Sequence, residues 1–325
     1  LHWLVQQNWD VICMIGDVGQ RCDFSVIQQR ALACGAREAV VEHLCEEMLK
    51  EVVYPALRAQ AVYEGRYLLG TALARPVLAR AQVRLARAHQ ATHLAHGATA
   101  KGNDQVRFEL AYHALAPELE ILAPWKDPQF CSAFQGRSDL LDYAGREGIP
   151  LAGGAEKTFS EDDNLLHISH EAGPLEDPDC EAPAQTRSWC KALQDTPEQP
   201  FDLRLEFSSG EPKALFTEEH PEGITEPVAL FKELNRLGAQ HGIGVTDMVE
   251  NRFVGLKSRG VYEAPGATLL WAAHRDLEGL ALDREVMHLR DSLSLKFAEL
   301  TYNGFWFSPE MEVLRAAINK AQETV

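Results

Sequence analysis

The sequence predicts an α/β fold in two domains, a parallel sheet with helices on both faces followed by an α+β unit. Three observations carry this expectation. Strand and helix signals alternate over residues 1–151, the pattern of parallel strands joined by crossover helices. From residue 152 the chain changes character and becomes rich in Pro, Glu and Asp. Its 325 residues suffice for two domains of about 150 residues each. The boundary is expected near Leu151, with domains at 1–151 and 152–325.

Residues 10–15 (Asp-Val-Ile-Cys-Met-Ile) are a short apolar run read as a strand, with a turn at Gly16-Asp17-Val18-Gly19. Asp23 reads as the N-cap of a helix reaching Cys34, stopped by Gly35. A strand at 39–41 precedes a helix over 44–57. Residues 75–89 place Val77, Ala81, Leu85 and Ala88 on one face, the spacing of an amphipathic helix. Next come a strand at 92–95, a loop at 97–102, a helix capped by Asn103 or Asp104 and running to Pro117, and a strand at 121–123. In such sheets ligands bind beyond the carboxyl ends of strands, which directs attention to 16–20 and 97–104. In the second half, 176–183 and 195–200 read as long loops leading to strands at 201–207 and 213–216. Helices are expected at 228–240, 266–289 and 307–323.

Hydrophobic residues make up 46% and charged residues 24% of the chain, the composition of a globular protein rather than a disordered one. No apolar run approaches the roughly 20 residues of a membrane-spanning helix. The first nine residues lack a secretory signal pattern. Seven cysteines, none in C-x-x-C spacing, fit a reducing cytoplasm better than a disulfide framework or zinc site. The net charge of −17 is uneven, about −2 over 1–150 and −15 over the remainder. Such a second half repels a phosphate backbone, which argues against a nucleic-acid partner. It leaves room for a small anionic ligand in the first half.

The loop from His96 to Asp104 follows a strand and opens a helix, so its glycines and free amides suit an anion, with Lys101 adding charge. It lacks the spacing of a Walker loop. His89, His93 and His96 could be drawn as metal ligands, but an intervening strand separates them, and no metal is expected. Arg75, Arg80, Arg84 and Arg87 read as a solvated helix face. The polar segment 250–263 reads as a surface loop or as a site for a polar substrate.

Several stretches go beyond pattern: Tyr67-Leu-Leu-Gly-Thr-Ala-Leu-Ala-Arg-Pro76, His96-Gly-Ala-Thr-Ala-Lys-Gly-Asn-Asp-Gln-Val-Arg-Phe-Glu109 and Val249-Glu-Asn-Arg-Phe-Val-Gly-Leu-Lys-Ser-Arg-Gly-Val-Tyr-Glu263. With 164–171 and 298–309, they closely resemble the argininosuccinate synthase family over residues 3–323. The resemblance implies a nucleotide-binding domain of the ATP-pyrophosphatase (adenine nucleotide alpha-hydrolase-like) type and a second, synthetase domain. It implies a cytoplasmic ligase of arginine biosynthesis and the urea cycle that joins citrulline and aspartate. ATP, with Mg2+, is cleaved to AMP and pyrophosphate through citrullyl-AMP, without a prosthetic group, by a homotetramer.

Carried over by position, ATP would meet Gly16, Ala95, His96, Gly97, Ala98, Thr99, Ala100, Lys101, Gly102 and Asn103. Aspartate would meet Thr99, Asn103 and Asp104. Citrulline would meet Tyr67, Asn103, Arg107, Ser160, Ser169, Glu250 and Tyr262. No residue is singled out as catalytic. The family's Ser-Gly-Gly-Leu-Asp-Thr-Ser phosphate loop and its first strand are absent from this sequence, as is the C-terminal oligomerisation helix. Ala72 and Ala95 replace serines, and Ala100 replaces a glycine whose backbone could require φ > 0. The chain as given is therefore expected to be a fragment, aggregation-prone and with little ligase activity. The alternative is a non-catalytic paralogue or pseudogene product that keeps the fold as a binding or regulatory protein.

Overall fold

A computed structural model describes residues 1–100, 102–150 and 159–325. The expected boundary near Leu151 and Lys101 of the nucleotide loop lie outside the described residues.

In the first half, α1 (His2–Gln6) precedes β1 (Ile12–Asp17), α2 (Phe24–Ala33) and β2 (Glu38–His43). β1 and β2 pair in parallel from Ile12 opposite Glu38 to Asp17 opposite His43. The strand thus absorbs Gly16 and Asp17, which the sequence suggested as a turn, because β2 continues to offer partners as far as His43. Asp23 caps α2 by accepting from the Ser25 and Val26 N–H groups. Gly35, at φ +94°, ends it.

The helix expected at 44–57 forms as α3 (Cys45–Met48), a π-helical turn (Leu49–Val53) and α4 (Tyr54–Arg58). α5 (Gly70–Ala88) starts five residues earlier than expected, with Pro76 inside it. Burial of Ala72, Leu73, Ala74, Pro76 and Val77 offsets the backbone bond that proline removes. β3 (His93–Ala95), α6 (Asn103–Leu115) and β4 (Glu120–Leu122) follow, with β3 parallel to β4. The N-cap of α6 is Gly102; Asn103 and Asp104 lie in its first turn. Their side chains are engaged elsewhere, by Tyr302 and by arginines.

Among the described residues the parallel strands form two separate pairs instead of one continuous sheet. A groove of about 680 Å³ lies between them, lined by Ile12, Cys13 and Met14 of β1, by His93, Leu94 and Ala95 of β3, and by Leu78, Gln82 and Leu85 of α5. Helices α7 (Pro128–Ala133) and α8 (Arg137–Arg146) complete this half.

The second half is built on β5 (Ser160–Asp163), β6 (Ile168–Glu171), the hairpin β7 (Arg204–Ser208) and β8 (Glu211–Phe216), α9 (Pro227–Gln240), and a second hairpin, β9 (Val245–Asn251) and β10 (Lys257–Glu263). Four strands form an antiparallel sheet in the order β5-β6-β10-β9. The segment read as a polar loop is therefore most of a hairpin. The helix expected at 266–289 is two, α10 (Pro265–Ala281) and α11 (Arg284–Asn303), parted where Asp283 caps α11. α12 (Pro309–Ala321) closes the fold.

One core crosses between the halves. Leu57, Leu73 and Val77 pack in the same cluster as Phe231, Phe297 and Trp306. Buried charge is matched: Arg290 and Glu278 are both fully enclosed and paired, and Gln322 donates to Glu278 at 2.6 Å. Glu263 accepts from the backbone N–H groups of Ser188, Trp189 and Cys190, which anchors the irregular chain before β7.

Several bonds tie the halves beside α5, two of them at the turn between β5 and β6. The Leu165 N–H donates to Val18 O at 2.8 Å, and Asn164 Nδ2 donates to Gly70 O at 3.3 Å. Gly70 meets the His167 ring so closely that an added Cβ would fall 2.3 Å from it. Gly70→Ala should lower stability by about 1–3 kcal/mol despite alanine's helix preference, read as a lower urea midpoint with an unchanged m-value.

Candidate substrate site

The sheet β5-β6-β10-β9 presents a polar face toward the start of α5 and the first turn of α6. Strand register explains which side chains share it, because alternate residues point the same way. Asp162 lies opposite Ser169, and Ser169 opposite Tyr262; Ser160 lies opposite Glu171, and Glu250 opposite Ser258. With Tyr67, Thr71 and Arg75 from α5 and its approach, Asn103, Asp104 and Arg107 from α6, and Tyr302 from α11, these residues line a cavity of about 420 Å³.

Each wall is held by its own bonds. Tyr67 Oη accepts from the Thr71 N–H at 3.1 Å, and Thr71 Oγ1 lies 3.1 Å from His167 Nε2. Burial brings His167 down to about 4, so this histidine is neutral. Asn103 Nδ2 donates to the Tyr302 hydroxyl at 2.9 Å, and its Oδ1 accepts from the Phe253 N–H at 3.3 Å. Arg107, buried, donates from Nε to Tyr302 O at 2.9 Å, and its guanidinium lies 5.0 Å from the Tyr302 ring centroid. Tyr262 Oη donates to Glu250 Oε2 at 3.2 Å.

Charge is arranged in two groups. Arg75 Nη2 donates to Asp104 Oδ2 at 2.6 Å and to Asp162 Oδ2 at 2.5 Å, while Arg107 Nη1 donates to Asp104 Oδ1 at 3.0 Å. Burial would raise the Asp104 carboxyl, but the two guanidiniums outweigh it and bring it down to about 2. Arg252 Nη2 donates to Glu171 Oε2 at 2.6 Å and to Ser258 Oγ at 2.9 Å, and Arg252 Nε lies 3.8 Å from Glu250 Oε1. Burial, then the neighbouring Glu250 carboxylate, pushes Glu171 up to about 7 against the pull of Arg252. Burial raises Glu250 as well.

All the residues expected to meet the two amino acids, Tyr67, Thr99, Asn103, Asp104, Arg107, Ser160, Ser169, Glu250 and Tyr262, line this one cavity. The expected nucleotide set divides. Ala98, Thr99, Gly102 and Asn103 face the same cavity, whereas Gly16, Ala95, His96 and Gly97 line the groove between β1 and β3. Ala100 borders neither, and it is not among the residues with positive φ, so the anticipated backbone cost does not arise. Ala72 is buried in the core rather than exposed to the cavity.

Thr71, Arg75, Glu161, Asp162, Glu171, Arg252 and Tyr302 complete the lining, and none of them was expected in the site from sequence. Arg75 corrects the expectation of a solvated arginine face: its side chain is only 13% exposed. Arg80, Arg84 and Arg87 instead pair with Glu47, Glu42 and Glu118 nearer the surface. His89, His93 and His96 face three different carboxylates, Glu38, Glu120 and Glu109, and do not converge.

Glu171 generates a pH prediction. Its folded value of about 7 lies above the ordinary 4.5, so its contribution to stability is present below pH 4.5 and lost as pH rises through about 7. Glu171→Gln cannot ionise. Relative to that variant, the unliganded wild type should lose about 1–3 kcal/mol between pH 5 and 8, measured by denaturant titration at both pH values.

The chain as a whole has counterparts among known proteins. The family profile described as Arginosuccinate synthase N-terminal HUP domain matches residues 1–150, and that described as Arginosuccinate synthase C-terminal domain matches 159–325. Argininosuccinate synthase of Thermotoga sp. (strain RQ2) is 53% identical over 325 residues, covering 100% of this chain and 80% of the relative. That of Syntrophus aciditrophicus (strain SB) is 49% identical, covering 99% of this chain and 79% of the relative. The Mus musculus enzyme is 45% identical, covering 100% and 79%. With both profiles matched in order and relatives this similar along its whole length, the chain belongs to the argininosuccinate synthase family of ATP-dependent ligases.

Proposed function

We propose that this chain joins citrulline to aspartate in this polar cavity, with ATP cleaved to AMP and pyrophosphate. The observation that carries the reading is the convergence, in 420 Å³, of hydroxyl, amide, carboxylate and guanidinium groups matched to two amino acids. In the first step the citrulline ureido oxygen forms a bond to the α-phosphorus, and the bond from that phosphorus to pyrophosphate breaks. In the second, the aspartate nitrogen bonds to the ureido carbon of citrullyl-AMP, the carbon–oxygen bond breaks with its electron pair leaving on AMP, and the nitrogen, an ammonium at the start, gives up two protons and keeps one in the product guanidinium.

Such chemistry depends on placing the two nucleophiles in turn and on neutralising charge as it develops. Arg107 supplies the cation for the citrulline carboxylate, and Glu250, backed by the Tyr262 hydroxyl, accepts from the citrulline ammonium. Ser160 and Ser169 offer hydroxyls to the neutral ureido end. Asn103 stands between the two amino acids, and Thr99 and Asp104 complete the aspartate end. ATP lies along Gly16 and the 95–103 loop, and Mg2+ enters with its phosphates as part of the substrate. We place the boundary between nucleotide and synthetase domains at residues 151–152.

A reducing, cytoplasmic setting is supported by seven free cysteines. Among the described residues no helix is long and apolar enough to cross a membrane. Assembly with further copies, a tetramer in this reading, is supported by Leu280, Leu289, Leu295 and Val313, which are 61–89% exposed on the last three helices.

The test is AMP release from ATP and Mg2+ with citrulline and aspartate present, singly and together. AMP and argininosuccinate should form in equal amounts, and only when both amino acids are present. Glu250→Gln should lower kcat/KM for citrulline about 10- to 100-fold, as loss of a charge-assisted bond in a buried site implies. Binding of both amino acids without AMP release would favour the non-catalytic alternative.

A further inference from the structure

A separate cavity of about 700 Å³ lies behind the tyrosines that line the substrate cavity. Tyr67 and Tyr262 border both spaces; each is 4% exposed, and their ring centroids lie 4.6 Å apart. The His167 ring runs parallel to that of Tyr262 at 6.1 Å and borders only the rear cavity. Two phenols and an imidazole therefore form a partition. The other walls come from the approach to α5, the start of β9 and the first half of α10, with Leu166, Val245 and Trp271 supplying apolar surface. Such a volume, mostly apolar with a few polar groups, is that of a small-molecule site.

The polar groups of this cavity are not equally free. Asp247 is held by Arg259 at 2.9 and 2.8 Å, and Arg275 by Asp291 through two bonds of 2.8 Å. Arg66, exposed at the cavity, has no carboxylate partner among the described residues, and its guanidinium donates only to Asp247 O at 3.5 Å. His167 is engaged at Nε2 by Thr71. Its Nδ1 makes no hydrogen bond among the described residues, yet it is not a sealed atom. In a side chain that is 1% exposed, that nitrogen opens onto the rear cavity. One cation without an acid partner, one open imidazole nitrogen and aromatic walls match an organic monoanion with a flat apolar body. A second negative charge would go unmatched.

We propose that the rear cavity is an effector site for a small aromatic carboxylate, whose presence is felt by citrulline through the tyrosine partition. The effect on citrulline rests on the proposed reading that citrulline meets Tyr67 and Tyr262; binding in the rear cavity does not. An occupant packs against both phenols from behind and gives His167 Nδ1 a partner. His167 is thereby fixed, and with it Thr71, whose N–H donates to Tyr67 Oη. Walls ordered beforehand cost an incoming substrate less. The occupant should therefore tighten citrulline, and citrulline should tighten the occupant by the same factor.

Calorimetric titration of the full chain tests this with indole-3-acetate as the probe, in the presence of α,β-methylene-ATP and Mg2+. Saturable binding is expected. Indole-3-acetamide, the neutral counterpart, should bind about tenfold more weakly, and Arg66→Gln should erase that difference. Ala272→Phe, at an exposed α10 position on the cavity wall, should weaken the probe about tenfold by filling its space while leaving citrulline affinity without probe unchanged. Saturating probe should tighten citrulline about threefold in the wild type and have no effect in Ala272→Phe.

Absence of saturable probe binding, or binding untouched by both variants, overturns the proposal. Mutual exclusion of probe and citrulline also overturns it, since the probe then occupies the substrate cavity. Probe binding that leaves citrulline affinity unchanged overturns the effector role. Probe binding lost as the chain self-associates, followed by sedimentation over a range of protein concentrations, overturns it in favour of a contact between copies. A protein that binds the probe as expected but binds no citrulline overturns the reading of the substrate cavity instead.

Discussion

Asp104 sits between two guanidiniums, and the geometry of the cavity follows from that arrangement. Each of its oxygens accepts from a different arginine, Arg75 and Arg107, and Arg75 reaches on to Asp162 in the other half. Arg75 and Arg107 are nearly buried while Asp104 and Asp162 stay partly exposed, and charges so placed are tolerable only when they satisfy one another, so that removing one partner strands the rest. The cluster is consequently a constraint on position more than a source of net stability. It locks the first turn of α6 to α5 and both to the edge strand of the antiparallel sheet, which places Asn103 and Arg107 over the polar face.

That sheet face illustrates how a binding wall can be specified by register. A slip of one residue would move every alternate side chain to the opposite face, taking Ser160, Ser169, Glu171, Tyr262 and Glu250 out of the cavity together. The register is pinned at both ends. Leu165 and Leu166, between β5 and β6, are buried in the shared core, and Glu263, at the end of β10, is fully enclosed by three backbone N–H donors. A site made of polar strands thus borrows its order from apolar and capped positions just outside it.

The same feature explains what could and could not be read from sequence. β1, β2 and the helix starting after Asp23 are legible because apolar runs, a capping aspartate and a stopping glycine coincide there. β5 reads Ser-Glu-Asp-Asp, with no apolar residue to mark either face, so it passes for loop. β9 and β10 carry Glu250, Arg252, Ser258 and Arg259 for the sake of the cavity and its supports, and the alternation that would reveal strands is overwritten. Arg75 is misleading for another reason. Its partner Asp162 lies 87 positions away, and on a helical wheel an arginine with a distant partner looks like an arginine in water. Residue roles for citrulline and aspartate came from resemblance, and the cavity gathers those residues, but Glu171, Arg252 and Tyr302 carry no local signal that separates them from ordinary polar positions.

Asn103 shows how one side chain can serve two substrates without being exhausted by its own supports. A primary amide offers two N–H donors and two acceptor lone pairs. Tyr302 takes one donor and the Phe253 N–H takes one acceptor site, so the amide is oriented from both sides while one donor and one acceptor remain. The two supports come from α11 and from the tip of the β9–β10 hairpin, elements that also hold Arg107 and Glu250. Displacing either support would rotate the amide and misplace its free donor and acceptor together. On the proposed reading, citrulline and aspartate therefore meet across a group whose direction is set before either arrives, and the cost of aligning them falls on folding instead of on the binding step.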